Sequence, residues 1–225
     1  VGRRKGLVIG ATGLVGKQLV SQLLAHDEYE QVTALVRQEL PISHPKLSQV
    51  MVNWDELEQH EEAFIGVDEL FCCMGTTIKK AGSQAAFRKV DLEYPVTAAR
   101  LALSHGARQM IAVTSMGADS TSRVFYTRTK GEFEDDIARL GYRGIHFLRP
   151  SLLLGDREEK RTGEKIGEWV LTLADPLLRK GRGREYRAVP CAHVAKAMIR
   201  AALRDQSGVY RHSNKDIWKL AEQQK

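Results

Sequence analysis

Apolar and polar positions along this chain follow two rhythms. Short aliphatic and β-branched runs, such as Leu7-Val8-Ile9 and Val32-Thr33-Ala34-Leu35-Val36, alternate with longer stretches whose apolar positions recur every three to four residues. The first rhythm suits strands buried on both faces and the second suits amphipathic helices, so together they predict an α/β fold with a mostly parallel sheet covered on both sides. Read in order, the pattern predicts strands over 6–10, 31–36, 49–52, 69–74, 109–115 and 144–148. It predicts helices over 14–25, 84–104, 126–140 and 191–203, the second of them disturbed at Pro95, which lacks a backbone donor. Beyond Pro150 the rhythm loosens into a polar loop (Asp156 to Glu164) and a short helix near 165–174. The expected layout is one Rossmann-type, doubly wound domain over 1–225. Within it, 1–150 forms a cofactor-binding core and 151–225 a C-terminal segment on the substrate side, at the carboxyl edge where open α/β sheets bind ligands.

Composition narrows the class. With hydrophobic residues at 43% and charged residues at 28%, 225 residues can bury a continuous core without staples, and neither a disordered nor a fibrous chain is expected. No apolar stretch approaches the roughly 20 residues a spanning helix needs. The start runs into a strand without a signal-type apolar segment, and three cysteines form neither a CxxC pair nor an even framework, so a cytoplasmic protein is expected. A net charge of +6 raises polyanions as partners. The one dense cluster, however, Arg179, Lys180, Arg182, Arg184 and Arg187, is broken by glycines and lacks an aromatic platform. It fits a solvated loop or small-anion contact, and no specific nucleic-acid partner is expected. Seven histidines without metal-ligand spacing predict no metal site.

The chemistry begins at Gly10-Ala11-Thr12-Gly13-Leu14-Val15-Gly16, directly after the first strand and opening the first helix. Here the first glycine permits a tight turn, the second lets backbone amides approach a pyrophosphate, and the third lets helix and strand pack closely. Gly10, Thr12, Gly13, Leu14, Val15 and Gly16 are therefore the expected cofactor cradle. About 20 residues on, an acid would bond a ribose 2′-hydroxyl and an arginine would accept a 2′-phosphate. Arg37 occupies that place and favours NADP, with Glu39 two residues later as the alternative that would serve NAD.

Tyr126 and Lys130 stand four apart in a predicted helix and so share a face. An unperturbed phenol ionises near pH 10, and a neighbouring cation favours the phenolate, which suits proton transfer to a carbonyl. Eleven residues before Tyr126, a strand delivers Ser115 to the carboxyl edge, where its hydroxyl can bond a substrate oxygen. Adjacent Cys72 and Cys73 face opposite sides of a strand and read as core fillers. Asp91 and Arg149 read as members of structural ion pairs, and His193 as a histidine at a helix start.

Together the glycine turn and the Ser115, Tyr126 and Lys130 set resemble an atypical short-chain dehydrogenase/reductase. Phe71-Cys72-Cys73-Met74-Gly75-Thr76-Thr77, Lys80-Ala81-Gly82, Phe87-Arg88-Lys89-Val90-Asp91, Ser115-Met116-Gly117-Ala118-Asp119, Tyr126 to Glu132, and Leu148-Arg149-Pro150-Ser151 resemble the Tat-interacting-protein family of NADPH-binding oxidoreductase-like proteins, over most of the chain up to about Arg161. That resemblance implies a seven-stranded Rossmann sheet and NADPH as cofactor. It further implies Tyr126 as catalytic acid/base, Lys130 bonding the nicotinamide ribose and Ser115 orienting a small organic substrate. It also implies that Met74, Gly75 and Thr76, and then Pro150, Ser151 and Leu152, border the cofactor. The asparagine that assists proton relay in many such enzymes has no identified position here. Members of the resembling family are connected with regulatory binding as well as reduction. An NADPH-binding sensor that engages a protein partner is therefore the alternative to a carbonyl reductase.

Overall fold

Alternation along the strands sorts the interior into two layers. Leu7, Ile9, Leu70, Cys72, Met110, Ala112, Ile145 and Phe147 belong to one cluster, whereas Val8, Ala34, Phe71, Ile111 and Leu148 belong to the other. Strands apolar on both sides need helices on both sides. The computed structural model, which describes residues 3–155 and 187–223, meets that demand around a seven-stranded sheet whose neighbours all pair in parallel.

In chain order the elements are β1 (Arg4–Ile9), α1 (Leu14–Leu24), β2 (Tyr29–Val36), β3 (Leu47–Met51), a 3-10 helix (Trp54–Phe64) and β4 (Glu69–Cys72). Next come α2 (Ile78–Ala81), α3 (Gln84–Arg88), a π turn (Lys89–Glu93), α4 (Tyr94–Ser104), β5 (Gln109–Val113), α5 (Phe125–Ala138), β6 (Gly144–Leu148) and β7 (Leu153–Leu154). The chain ends with β8 (Val189–Pro190), α6 (Cys191–Leu203), β9 (Gly208–His212) and α7 (Asn214–Glu222). Strand order is β3-β2-β1-β4-β5-β6-β9, with β7 and β8 forming a separate parallel pair. The chain thus runs outward to one side of β1 and then crosses to the other, which makes the carboxyl ends of β1 and β4 a topological switch point.

Leu19, Val20 and Leu23 of α1 pack with Val194, Ala197 and Met198 of α6 over one face of the sheet. Val96, Ala99 and Ala102 of α4, with Phe133 and Ile137 of α5, cover the other. The long segment predicted over 84–104 is helical throughout but changes pitch before Pro95. Tyr94 N–H donates to Lys89 O, five residues back, inside a π turn. A proline ring crowds the carbonyl four residues earlier, here that of Asp91, and a widened preceding turn relieves that clash.

β9 and α7 have no counterpart among the predicted elements. Gly208-Val209-Tyr210-Arg211-His212 lacks a clear apolar run, because it is an edge strand exposed along much of its length. The start of α7 carries a local signal, a capping box in which Ser213 and Asp216 satisfy each other's backbone amides. The helix expected near 165–174 and most of the basic cluster lie outside the described residues.

Candidate functional site

β1 is followed by Gly10, whose φ of +77° suits a residue without a side chain. A methyl there would meet Cys73 C at 2.4 Å and Met74 N at 2.6 Å, so the turn after β1 lies directly against the turn after β4. A methyl on Gly16 would lie 2.1 Å from Gly10 O, which accounts for the close seating of α1 on its strand. Gly13 is different. It precedes the first residue of α1 in extended backbone, with φ −77° and ψ 173°, and a methyl there would come no nearer than 3.3 Å to a neighbour. Thr12 and Gly13 are exposed, Leu14 is half-buried and Val15 is buried. The helix N-terminus therefore opens to solvent beside Gly13, which has no side chain, a cradle that fits a diphosphate. Arg37 follows the end of β2, is exposed, and forms no ion pair among the described residues.

Beyond the β1–β4 bend, Met74, Gly75 and Thr76 lead away from the sheet and are accessible. One buried side chain organises them. Asp91, in the π turn, accepts from Thr76 N at 2.8 Å through Oδ2, while its Oδ1 stands 2.7 Å from Lys130 Nζ. Both members of this pair are almost fully buried, with side-chain exposures of 0% and 6%. A methyl on Gly75 would touch both, at 3.6 Å from Asp91 Oδ1 and 3.8 Å from Lys130 Nζ. Burial opposes the charge on Lys130, but Asp91, followed by Tyr126, outweighs it and holds the ammonium above the ordinary lysine range. Lys130 is accordingly a fixed cation at neutral pH.

Ser115 lies just past β5, 9% exposed, and its Oγ has no hydrogen-bond partner among the described residues. An orphaned buried hydroxyl is costly, and at the carboxyl edge of an open sheet it is a natural place for a bound oxygen. Tyr126 sits in the first turn of α5, half-buried, with its ring 5.7 Å from that of Phe87 and its phenol in no hydrogen bond among the described residues. The loop from Ser115 is pinned against α5. Asp119 N–H donates to Thr127 O at 3.1 Å, and a methyl on Gly131 would strike Ser120 N at 2.1 Å. From the other side, Met116 N–H donates to Pro150 O at 3.0 Å.

Pro150, Ser151 and Leu152 follow β6 on the same edge, and Asn214 secures them. Its Oδ1 accepts from Ser151 N at 3.0 Å and its Nδ2 donates to Arg187 O at 2.8 Å. Asn214 is 2% exposed and was not among the sequence candidates; its only signal is the polar run that opens α7. Asp91, read from sequence as a structural partner, pairs here with a candidate catalytic lysine. Arg149 is indeed structural: its guanidinium donates to buried Glu134 at 2.9 and 2.6 Å, beside Arg211. Cys72 and Cys73 fall in opposite core layers, as strand alternation requires, and burial pushes the Cys72 thiol up to about 11 and that of Cys73 well above the usual range. Neither thiol is poised to ionise. His193 lies against Trp218, with ring centroids 4.9 Å apart and the rings tilted by 55°, on a different element from Ser115 and Tyr126.

Comparison with known proteins supports the fold and a nicotinamide-coenzyme ligand. The family described as NAD(P)H-binding matches residues 10–161. Protein HTATIP2 of Rattus norvegicus is 33% identical over 204 residues, which span 89% of this chain and 82% of that protein. Protein FMP52, mitochondrial, of Candida albicans is 34% identical over 174 residues, 72% of this chain and 75% of its own length. Among solved structures, MoeE5 in complex with UDP-glucose and NAD has a TM-score of 0.70 at 15% identity, covering 96% of this chain and 80% of that one. A short chain dehydrogenase family protein from Francisella tularensis subsp. tularensis SCHU S4 has a TM-score of 0.68 at 13% identity, covering 96% and 99%. At such identities these two speak for the fold alone. The expected cytoplasmic location is corrected by the fungal relatives, which are named mitochondrial and point to mitochondria instead. No helix among the described residues is long and apolar enough to cross a membrane. That property, like the cysteine count, does not distinguish one aqueous compartment from another, and so it could not decide the location.

Proposed function

The chain belongs to the NAD(P)H-binding family, and from that membership we propose that it is an NADPH-dependent oxidoreductase that reduces a carbonyl on a small organic substrate. The observation that carries this reading is the orphaned hydroxyl of Ser115, on the carboxyl edge where the Tyr126 and Lys130 helix is pinned. A bound NADPH supplies the hydride. Gly10, Thr12, Gly13, Leu14, Val15 and Gly16 hold its diphosphate, Arg37 the 2′-phosphate, and Met74, Gly75, Thr76, Pro150, Ser151 and Leu152 the flanks of the nicotinamide half. Ser115 donates a hydrogen bond to the carbonyl oxygen and stabilises the charge that grows there. Tyr126 passes its phenolic proton to the same oxygen, which completes the alcohol. Lys130, held cationic, offsets the charge left on the phenolate and offers its remaining N–H groups to the cofactor ribose.

Purified Tyr126→Phe tests the assignment. NADPH affinity by calorimetry should stay within about twofold of wild type, while NADPH oxidation with a carbonyl substrate found by screening should fall about 100-fold or more. Unchanged turnover in the variant would remove Tyr126 from the mechanism. Wild-type protein that binds NADPH but turns over no carbonyl would favour the sensing alternative.

A further inference from the structure

Lys130 belongs to α5, whereas Met74, Gly75 and Thr76 belong to the turn after β4, and the two segments meet at one carboxylate. Asp91 takes the Thr76 amide on one oxygen at 2.8 Å and the Lys130 ammonium on the other at 2.7 Å. Its side chain has no exposure, and Gly75 leaves just the space that a methyl facing the pair would fill. The backbone that carries Asp91 is irregular in the same place, a π turn ended by Pro95. Such turns inside helices redirect a side chain that regular geometry would place elsewhere.

Sheet order says which part of the cofactor this concerns. With the diphosphate at the β1 turn, the adenosine half extends toward β2 and Arg37, and the nicotinamide half extends toward β4 and β5. Asp91 lies wholly on the second side.

We infer that Asp91 is a positioning residue that joins the turn after β4 to Lys130, and so builds the nicotinamide half of the site without contributing to the adenosine half. This rests on the cofactor placement proposed above. The Asp91 carboxylate holds the Lys130 ammonium beside it in a buried ion pair. It also holds the Thr76 amide against the helix, so that the turn presents a single shape to the ligand.

The test compares two probes, NADPH and adenosine 2′,5′-bisphosphate, which carries only the adenosine end with its 2′-phosphate. Calorimetry is run on wild type, Asp91→Asn, Asp91→Glu and Lys130→Met, with folding checked by circular dichroism. Asp91→Asn keeps the shape and removes the charge. Asp91→Glu keeps Lys130 paired and moves the carboxylate by one methylene, and it carries the test if Asp91→Asn does not fold. The expected result is a fall of tenfold or more in NADPH affinity, with the bisphosphate held within twofold in every folded variant. The losses in Asp91→Asn and Lys130→Met should also fail to add in the double variant, since the two residues act as one unit. NADPH affinity that is unchanged in folded Asp91→Asn or Asp91→Glu overturns the inference. Equal weakening of both probes does so too, because it signals general damage. Wild-type protein that binds neither probe would instead overturn the cofactor placement, a separate failure.

Discussion

Gly13 and Gly16 stand three residues apart in the same turn, yet they answer to different forces. Gly16 is needed by the protein, because a methyl there would sit 2.1 Å from the backbone oxygen of Gly10, which cannot move without dragging α1 off β1. Gly16→Ala should therefore cost at least about 2 kcal/mol of stability, read as a lower urea midpoint at unchanged slope. Gly13 has ordinary negative φ and tolerable space, so the fold itself should accept alanine. On the proposed cofactor placement the methyl would instead stand where a diphosphate approaches the amides. Gly13→Ala is expected to keep the urea midpoint close to wild type while weakening NADPH about tenfold or more, about 1.4 kcal/mol, by calorimetry. Parallel effects of the two substitutions on both measurements would contradict this division.

Helix α7 shows how an element far along the chain supports the site. Its first residue, Asn214, is buried and bonds both Ser151 N and Arg187 O, so it ties the turn after β6 to the backbone just ahead of β8. The capping box of Ser213 and Asp216 holds the helix start and with it the Asn214 side chain. Asn214→Ala removes two hydrogen bonds that a buried side chain makes to partly buried backbone groups, which costs about 1–3 kcal/mol in all. Chemical denaturation should register that loss, and NADPH affinity should fall with it because Pro150 and Ser151 are no longer held. Ser213→Ala, which removes only the cap, should cost about 1 kcal/mol with a smaller effect on affinity. The π turn before α4 belongs to the same class of device, in that a local departure from regular pitch places one side chain where two segments meet.

For the molecule as a whole, the joint between β6 and the edge strand β9 makes stability depend on pH. His146 is fully buried, stacked on Tyr210 at 5.0 Å and His212 at 5.3 Å between ring centroids, and one of its nitrogens lies 3.0 Å from His212 Nε2. Burial, then the neighbouring His212 and Arg204, push its pKa down to about 4. A histidine depressed in the folded state takes up its proton more readily once unfolded. Stability is therefore full above the ordinary histidine range, is lost as pH falls from about 6.5 toward 4, and levels off below that for this group. The whole limb amounts to up to about 3 kcal/mol. Urea midpoints measured between pH 7 and pH 4.5 should trace it, and His146→Gln should flatten it. A wild-type midpoint that does not change over that interval would show that the buried stack does not govern the acid limb.

Several features could be read directly because they are local. The glycine turn, the Tyr126 and Lys130 spacing, and six of the seven sheet strands each depend on residues close together in the chain, where steric and periodic rules act. Long-range contact settled the rest. An aspartate in a helical stretch gives no sign of which cation it will meet, and only the packing of α5 against the π turn brings Lys130 to Asp91. A short, half-exposed strand such as β9 carries too little apolar pattern to announce itself, and it forms because β6 offers an open edge. Burial and partner choice arise when segments distant in sequence come together, which no spacing rule encodes.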